Sequence, residues 1–208
     1  LKFHKLLVQA FEKAIGWDIL IKNPAKYATS PKSDTKEITV WSLNEVNRFL
    51  NSIKDVEVYS IYYAVLKAFH TGLRGGEIAA LKWENVNLKE GYLDVKLKAV
   101  EKKGKGVIFT TPKTESSSAR VMLTNELVKE LKELKKKHKI HKLETGINLE
   151  FVCTKLDGKS YRPTYFSKAF KYQVERLEMP YLTFHGLRHT HASILFELGA
   201  NSQEISKR

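Results

Sequence analysis

Thr183-Phe-His185-Gly-Leu-Arg188-His189-Thr-His191-Ala-Ser193 lies close to the end of the 208 residues and gathers one arginine and three histidines within seven positions. A threonine able to cap a helix introduces the run. On a helix His185 and Arg188 are three apart and share a face, and His189 joins them at four. Two ring nitrogens and a guanidinium on one face suit a phosphate held by several hydrogen bonds. Read by itself, the stretch equally fits a capped helix whose polar face is basic.

Working outward, Phe69-His-Thr71-Gly72-Leu73-Arg74-Gly75-Gly76-Glu77-Ile78-Ala-Ala-Leu81 reads as a helix end, a Gly-marked turn and a new helix. Arg74 stands at that turn, where a long side chain can leave the fold and the Gly75-Gly76 pair lets backbone approach a ligand closely. Glu77 can steady Arg74 or cap the backbone, and the pair also fits an ordinary helix-start ion pair. Further on, Gly106 to Leu123 has two short β-type runs joined by a polar loop. This predicts a hairpin with Lys113 near its tip and Ser116 to Ser118 in the turn. A lysine there is either a solvated charge or a group able to swing over a phosphate and give a proton to a leaving oxygen.

Thr71-Gly-Leu-Arg74-Gly-Gly-Glu77-Ile, Thr111-Pro-Lys113-Thr followed by Arg120-Val, and His185-Gly-Leu-Arg188-His189-Thr-His-Ala-Ser, in this order and spacing, together resemble the tyrosine recombinase (phage integrase) family. The resemblance runs from about Val40 to Arg208. It implies that Arg74 and Arg188 clamp the non-bridging oxygens of a scissile phosphate and that Lys113 protonates the leaving 5′ oxygen. It gives His185 a general acid/base or phosphate-orienting role. Glu77, His189 and Arg120 would support the site or contact DNA. Such catalysis is electrostatic, and losing one preorganised donor typically costs ~10²–10³ in rate. No metal and no cofactor is implied, because two guanidiniums and a lysine supply the positive charge. The family's nucleophilic tyrosine follows a further Leu-Gly-His segment, whereas all nine tyrosines here precede His185. None is therefore assigned that role, and the chain is expected to bind and polarise DNA without forming the 3′-phosphotyrosine bond.

Three functions fit the residues: a site-specific recombinase, a type IB topoisomerase-like enzyme relaxing one duplex, and a non-catalytic DNA-binding module. The expected partner is double-stranded DNA carrying attachment sites. The resemblance implies a homotetramer on DNA for a full-length protein, and a monomer for these residues alone.

The domain reading divides the chain into residues 1–24, the last helix of an N-terminal DNA-clamping domain, a linker over 25–39, and the catalytic domain over 40–208, expected to lack its C-terminal end. Within residues 1–20, Leu6, Leu7, Ala10, Phe11, Ala14 and Ile15 recur at helical spacing, and Asn23-Pro24 ends the run. Ser42 to Glu45 forms a capping box, Tyr59 to Thr71 a mostly apolar helix, and Leu127, Leu131 and Leu134 the inward side of a helix from Thr124 to about His138. Pro163 opens a helix carrying Phe166, Phe170 and Val174, and Tyr92 to Leu97 alternates as a third strand beside the hairpin. The expected fold is mainly α with a small three-stranded antiparallel β-sheet.

Net charge is 36 − 23 = +13, which favours a polyanionic partner. No stretch approaches ~18 uninterrupted apolar residues, so a membrane span is not expected. Cys153 is the lone cysteine, which excludes an internal disulfide and points to a cytoplasmic setting. The lysine run from Lys129 to Lys139 is interleaved with Glu and Leu and reads as the solvated face of an amphipathic helix, not a DNA arm. His185 and His189 have the spacing of zinc helices, but Gly186 stands where a general-base Glu belongs and no partner cluster accompanies them.

Overall fold

A computed structural model describes residues 2–29, 39–54, 59–111 and 120–201. They divide into two compact units, Leu1–Glu37 and Ile38–Arg208. In the first unit, helix α1 (Lys2–Ile15) ends with its apolar repeat, short of the expected span to residue 20, and Asp18 beyond it takes a left-handed backbone (φ +57°) that stops the hydrogen-bond ladder. Asn23 folds the following turn back onto α1. Its Nδ2 donates to Val8 O (2.9 Å) and Glu12 Oε1 (2.8 Å), and its Oδ1 accepts from the Ala25 N–H.

The second unit is built around α3 (Tyr59–Thr71). Ile61 through Ala68 are all buried, so this helix is apolar on nearly every side, as a central core helix must be. Helices α2 (Leu43–Ile53), α4 (Gly75–Ala80), α5 (Asn125–Thr145), α6 (Pro163–Arg176) and α7 (Gly186–Glu197) pack against it. The Ser42–Glu45 capping box is present in both directions, with Ser42 N–H donating to Glu45 Oε2 (2.7 Å) and Glu45 N–H to Ser42 Oγ (3.3 Å). Trp41, Phe49 and Phe170 pack with tilted rings, centroids 5.1–5.6 Å apart, and Phe184 continues the cluster toward α7. The Trp41 backbone N–H donates to Thr190 Oγ1 (3.2 Å) and its Nε1 to Pro180 O (3.0 Å), which fastens the start of the domain to α7 and the segment leading into it.

The sheet is three-stranded and antiparallel, but its strands are not those expected. β2 (Tyr92–Asp94) lies between β1 (Val86–Asn87) and β5 (Arg120–Met122), with Leu93 opposite Val121. β4 (Gly106–Thr110) does not join β5; it pairs with β3 (Lys98–Lys102) in a separate two-stranded ribbon. Local turn chemistry explains the choice. Gly104 (φ +78°), between Lys103 and Lys105, closes β3 onto β4 within three residues, a shorter loop than the polar stretch after Thr111. Leu93 and Val121, both buried, hold β2 to β5 through the core. The hairpin turn expected at Ser116 to Ser118 lies outside the described residues.

Helix α5 presents Leu127, Leu131 and Leu134 inward as its spacing predicts, then runs on to Thr145 with His138 as a further buried position. His138 Nδ1 accepts from Trp83 Nε1 (3.0 Å), so its ring carries the acceptor on that nitrogen. Burial, then the Lys67 and His141 charges, push its pKa down to about 4. The unfolded chain takes up a proton near pH 6.5 and the folded chain does not, so His138 lowers stability progressively as pH falls from about 6.5 to about 4. We expect His138→Gln, which keeps an acceptor for Trp83, to flatten that part of the urea-midpoint profile. Parallel wild-type and variant profiles would contradict it. Among the described residues no helix is long and apolar enough to cross a membrane.

Candidate phosphate-binding site

The site begins where α3 stops. Thr71 Oγ1 donates back to Lys67 O, and the Gly72 N–H bonds Ala68 O (2.9 Å). Three residues later the chain enters α4, with buried Leu73 as the anchor and Arg74 at the N-cap. Glu77 holds Arg74 twice: Oε2 accepts the Arg74 backbone N–H (2.8 Å) and Oε1 accepts from Nη1 (3.1 Å). Glu77 is mostly covered while the Arg74 side chain is 56% exposed, so the carboxylate aims a guanidinium that still faces solvent.

The second half comes from α7. Thr183 Oγ1 accepts the Gly186 N–H (3.0 Å) and so caps the helix from two residues before His185, as the sequence suggests. His185 occupies the N-cap and Arg188 lies one turn on, its N–H bonded to His185 O (3.1 Å). Arg188 Nη1 donates to Gly72 O, which joins positions separated by 116 residues in the chain.

Electrostatics record the same convergence. Burial, then the Arg74 charge, lower the Arg188 pKa, with Glu77 opposing. Burial, then His189, Arg188 and Arg74, lower the His185 pKa. An imidazole held below its usual range is neutral near pH 7 and can both accept and donate a proton. The rings of His185 and His189 meet edge to face, 5.0 Å between centroids. Arg74, Gly75, Gly76, Thr164, Ser167 and His185 border an open cavity of about 230 Å³.

Of the residues singled out by sequence, Arg74, Glu77, His185, His189 and Arg188 are therefore brought together. Arg120 is committed elsewhere, on β5: it grips Asp94 with two hydrogen bonds (2.9 and 3.2 Å) and lies 3.8 Å over the Tyr92 ring. Lys113 lies outside the described residues. Gly76 corrects the reading of the glycine pair, because a Cβ there would meet Ala99 O at 2.7 Å. The space belongs to strand β3, not to a ligand. Thr164 and Ser167, on the first turns of α6, border the cavity without any signal in sequence. Among the described residues no three His, Cys, Asp or Glu side chains gather as a metal site.

With this geometry in hand, the chain was compared with known proteins. It is 29% identical to the ICEBs1 integrase of Bacillus subtilis over 206 residues, covering 97% of this chain and 55% of that protein. It is 28% identical to a XerC-like tyrosine recombinase of Caldanaerobacter subterraneus, covering 95% and 55%. The chain thus spans about half the length of these curated relatives. Among solved structures, the Tn1549 transposon integrase in complex with a circular intermediate DNA superposes with a TM-score of 0.86 at 21% identity, over 99% of this chain and 69% of that one. A lambda integrase tetramer bound to a Holliday junction gives 0.63 at 19% identity, over 98% and 53%. The model of the phage integrase family matches residues 40–208, and the chain belongs to that family, the tyrosine recombinases.

Proposed function

We propose that residues 40–208 form the catalytic domain of a site-specific DNA recombinase, and that Arg74 and Arg188 clamp the scissile phosphate. The observation that carries this reading is that Arg74 and His185, from the two ends of the domain, border one open cavity, with Arg188 tied to Gly72 O beside it and close enough for its charge to act on His185 and to feel Arg74. Two guanidiniums there meet the charge that develops on the non-bridging oxygens as phosphorus is attacked. Neutral His185 moves or orients a proton, and Lys113 protonates the leaving 5′ oxygen. Glu77 steadies Arg74 and His189 braces His185. Arg120, paired with Asp94 across β5 and β2, orders the sheet.

The substrate is double-stranded DNA at attachment sites, acted on in the cytoplasm, with a homotetramer on DNA in the whole protein. Residues 1–24 are read as the last helix of a DNA-clamping domain and residues 25–39 as the linker to the catalytic domain, and the division into two compact units supports this reading. None of the nine tyrosines follows His185, so the nucleophile is assigned to none of them.

The test uses the 208-residue chain and nicked duplex DNA. Retardation of the duplex that weakens steeply with salt, without a detergent-resistant adduct, is the expected result. An adduct mapped to one of these tyrosines would overturn the assignment of the nucleophile. Arg74→Ala and Arg188→Ala changes that merely lower the salt slope by about one unit each, with full cleavage retained in the whole recombinase, would favour a simple DNA-binding module.

A further inference from the structure

Both halves of the site meet at one peptide. Gly72 ends α3 with a left-handed backbone (φ +66°), and its carbonyl receives Arg188 Nη1. Its Cα faces the buried ring of His191: a Cβ on Gly72 would lie 2.8 Å from His191 Cδ2. His191 follows Arg188 by three residues, so the two side chains leave α7 on one face, Arg188 bonding the Gly72 carbonyl and the His191 ring filling the space beside its Cα. Arg74 follows Gly72 by two residues, with Leu73 buried between them. A residue without a side chain is needed here for two separate reasons, the positive φ and the room taken by the imidazole.

We propose that Gly72 is a positioning residue for the phosphate chemistry, a role that rests on the recombinase reading above. By clamping α7 to the end of α3 it sets the separation of the Arg74 and Arg188 guanidiniums. A guanidinium has its five N–H donors in a fixed plane, so the bond to Gly72 O orients that plane. A methyl group at position 72 pushes into the His191 ring and turns the carbonyl from Arg188. Arg74 keeps its hold on Glu77, and the clamp loses its spacing rather than its charge.

The experiment compares Gly72→Ala, His191→Ala and the double variant, with two readouts. The first is the guanidinium nitrogen NMR signal of Arg188 in the DNA-free chain, which is slowed in exchange while the bond to Gly72 O persists. The second, in the whole recombinase, is single-turnover cleavage of nicked DNA beside the DNA dissociation constant. Gly72→Ala is expected to abolish the slowed signal and reduce cleavage by about 10²-fold, with affinity changed by less than about threefold. His191→Ala acts in the same direction, and the double variant falls short of the product of the two because they share one contact. An Arg188 signal and cleavage rate unchanged by His191→Ala and Gly72→Ala overturn the proposal. Should Gly72→Ala fail to fold, His191→Ala alone decides, and no effect on either readout overturns it. A loosened Arg188 signal with undiminished cleavage leaves Gly72 as a holder of Arg188 and overturns its role in positioning the clamp, while the recombinase reading stands.

Discussion

Removing the Arg188 side chain is expected to slow DNA cleavage by about 10²–10³ in a recombinase carrying this domain, while DNA binding weakens by no more than one phosphate contact. The asymmetry follows from how Arg188 is held. Its guanidinium is partly desolvated and tied to Gly72 O, so it stands ready before charge develops on the phosphate and needs no reordering during reaction. Preorganisation of this kind acts on the transition state more than on ground-state binding. Arg188→Lys does not restore the rate, because an ammonium cannot hold the Gly72 carbonyl and span a phosphate as a planar fork does. Single-turnover cleavage on nicked duplexes, alongside binding titrated with salt, separates the two effects. A variant that cleaves at the parental rate would make Arg188 a purely structural tie between α7 and α3.

Replacing Lys67 with methionine is expected to stabilise the domain by about 1–3 kcal/mol. Lys67 lies on the central helix with no exposed surface, and its Nζ finds no hydrogen-bond partner among the described residues. Burial pulls its pKa well below the ordinary 10.5, and the neighbouring Cys153 thiol opposes this only in part. Methionine fills similar volume without a polar atom to desolvate. The pH dependence has a definite sign. Below the lowered folded-state pKa both states carry the proton and the penalty is complete. From there up to about 10.5 the unfolded chain binds more protons than the folded one, so stability rises with pH. Above that value both forms are neutral and the contribution of charge is gone. We expect thermal melts of Lys67→Met to lie above the wild type by roughly 2–10 °C at neutral pH and to lack that alkaline rise. A variant melting at or below the wild type would show that Lys67 has a stabilising partner.

Much of the fold is legible in the chain because its signals act within a few residues. The Ser42 capping box, the Thr124 cap, the Leu127–Leu131–Leu134 stripe and Pro163 at the start of α6 each appear where their residue types place them. Each depends on backbone donors or on a periodicity that a single helix satisfies by itself. α1 is the exception: it stops at Ile15 rather than near residue 20, and no residue pattern announces the left-handed Asp18 that follows.

Strand partners were not legible. Gly106 to Thr110 and Arg120 to Met122 have equal local claim to each other and to strands upstream, and the ribbon turn at Gly104 together with the buried Leu93–Val121 contact decides between them. Gly76 likewise reads as room for a ligand until Ala99 O is found where its side chain would stand.

By itself the sequence determined the family, the helix boundaries set by caps, and the residue types of the site: Arg74 with Glu77, and His185 with Arg188. These are short-range patterns, readable three or four residues at a time. Tertiary packing brought Arg188 to the Gly72 carbonyl, two residues before Arg74, set the His191 ring against Gly72, and sealed Lys67 in the core. Each of these joins segments distant along the chain, and a contact closed by the packing of α3 against α7 leaves no periodic trace in either helix.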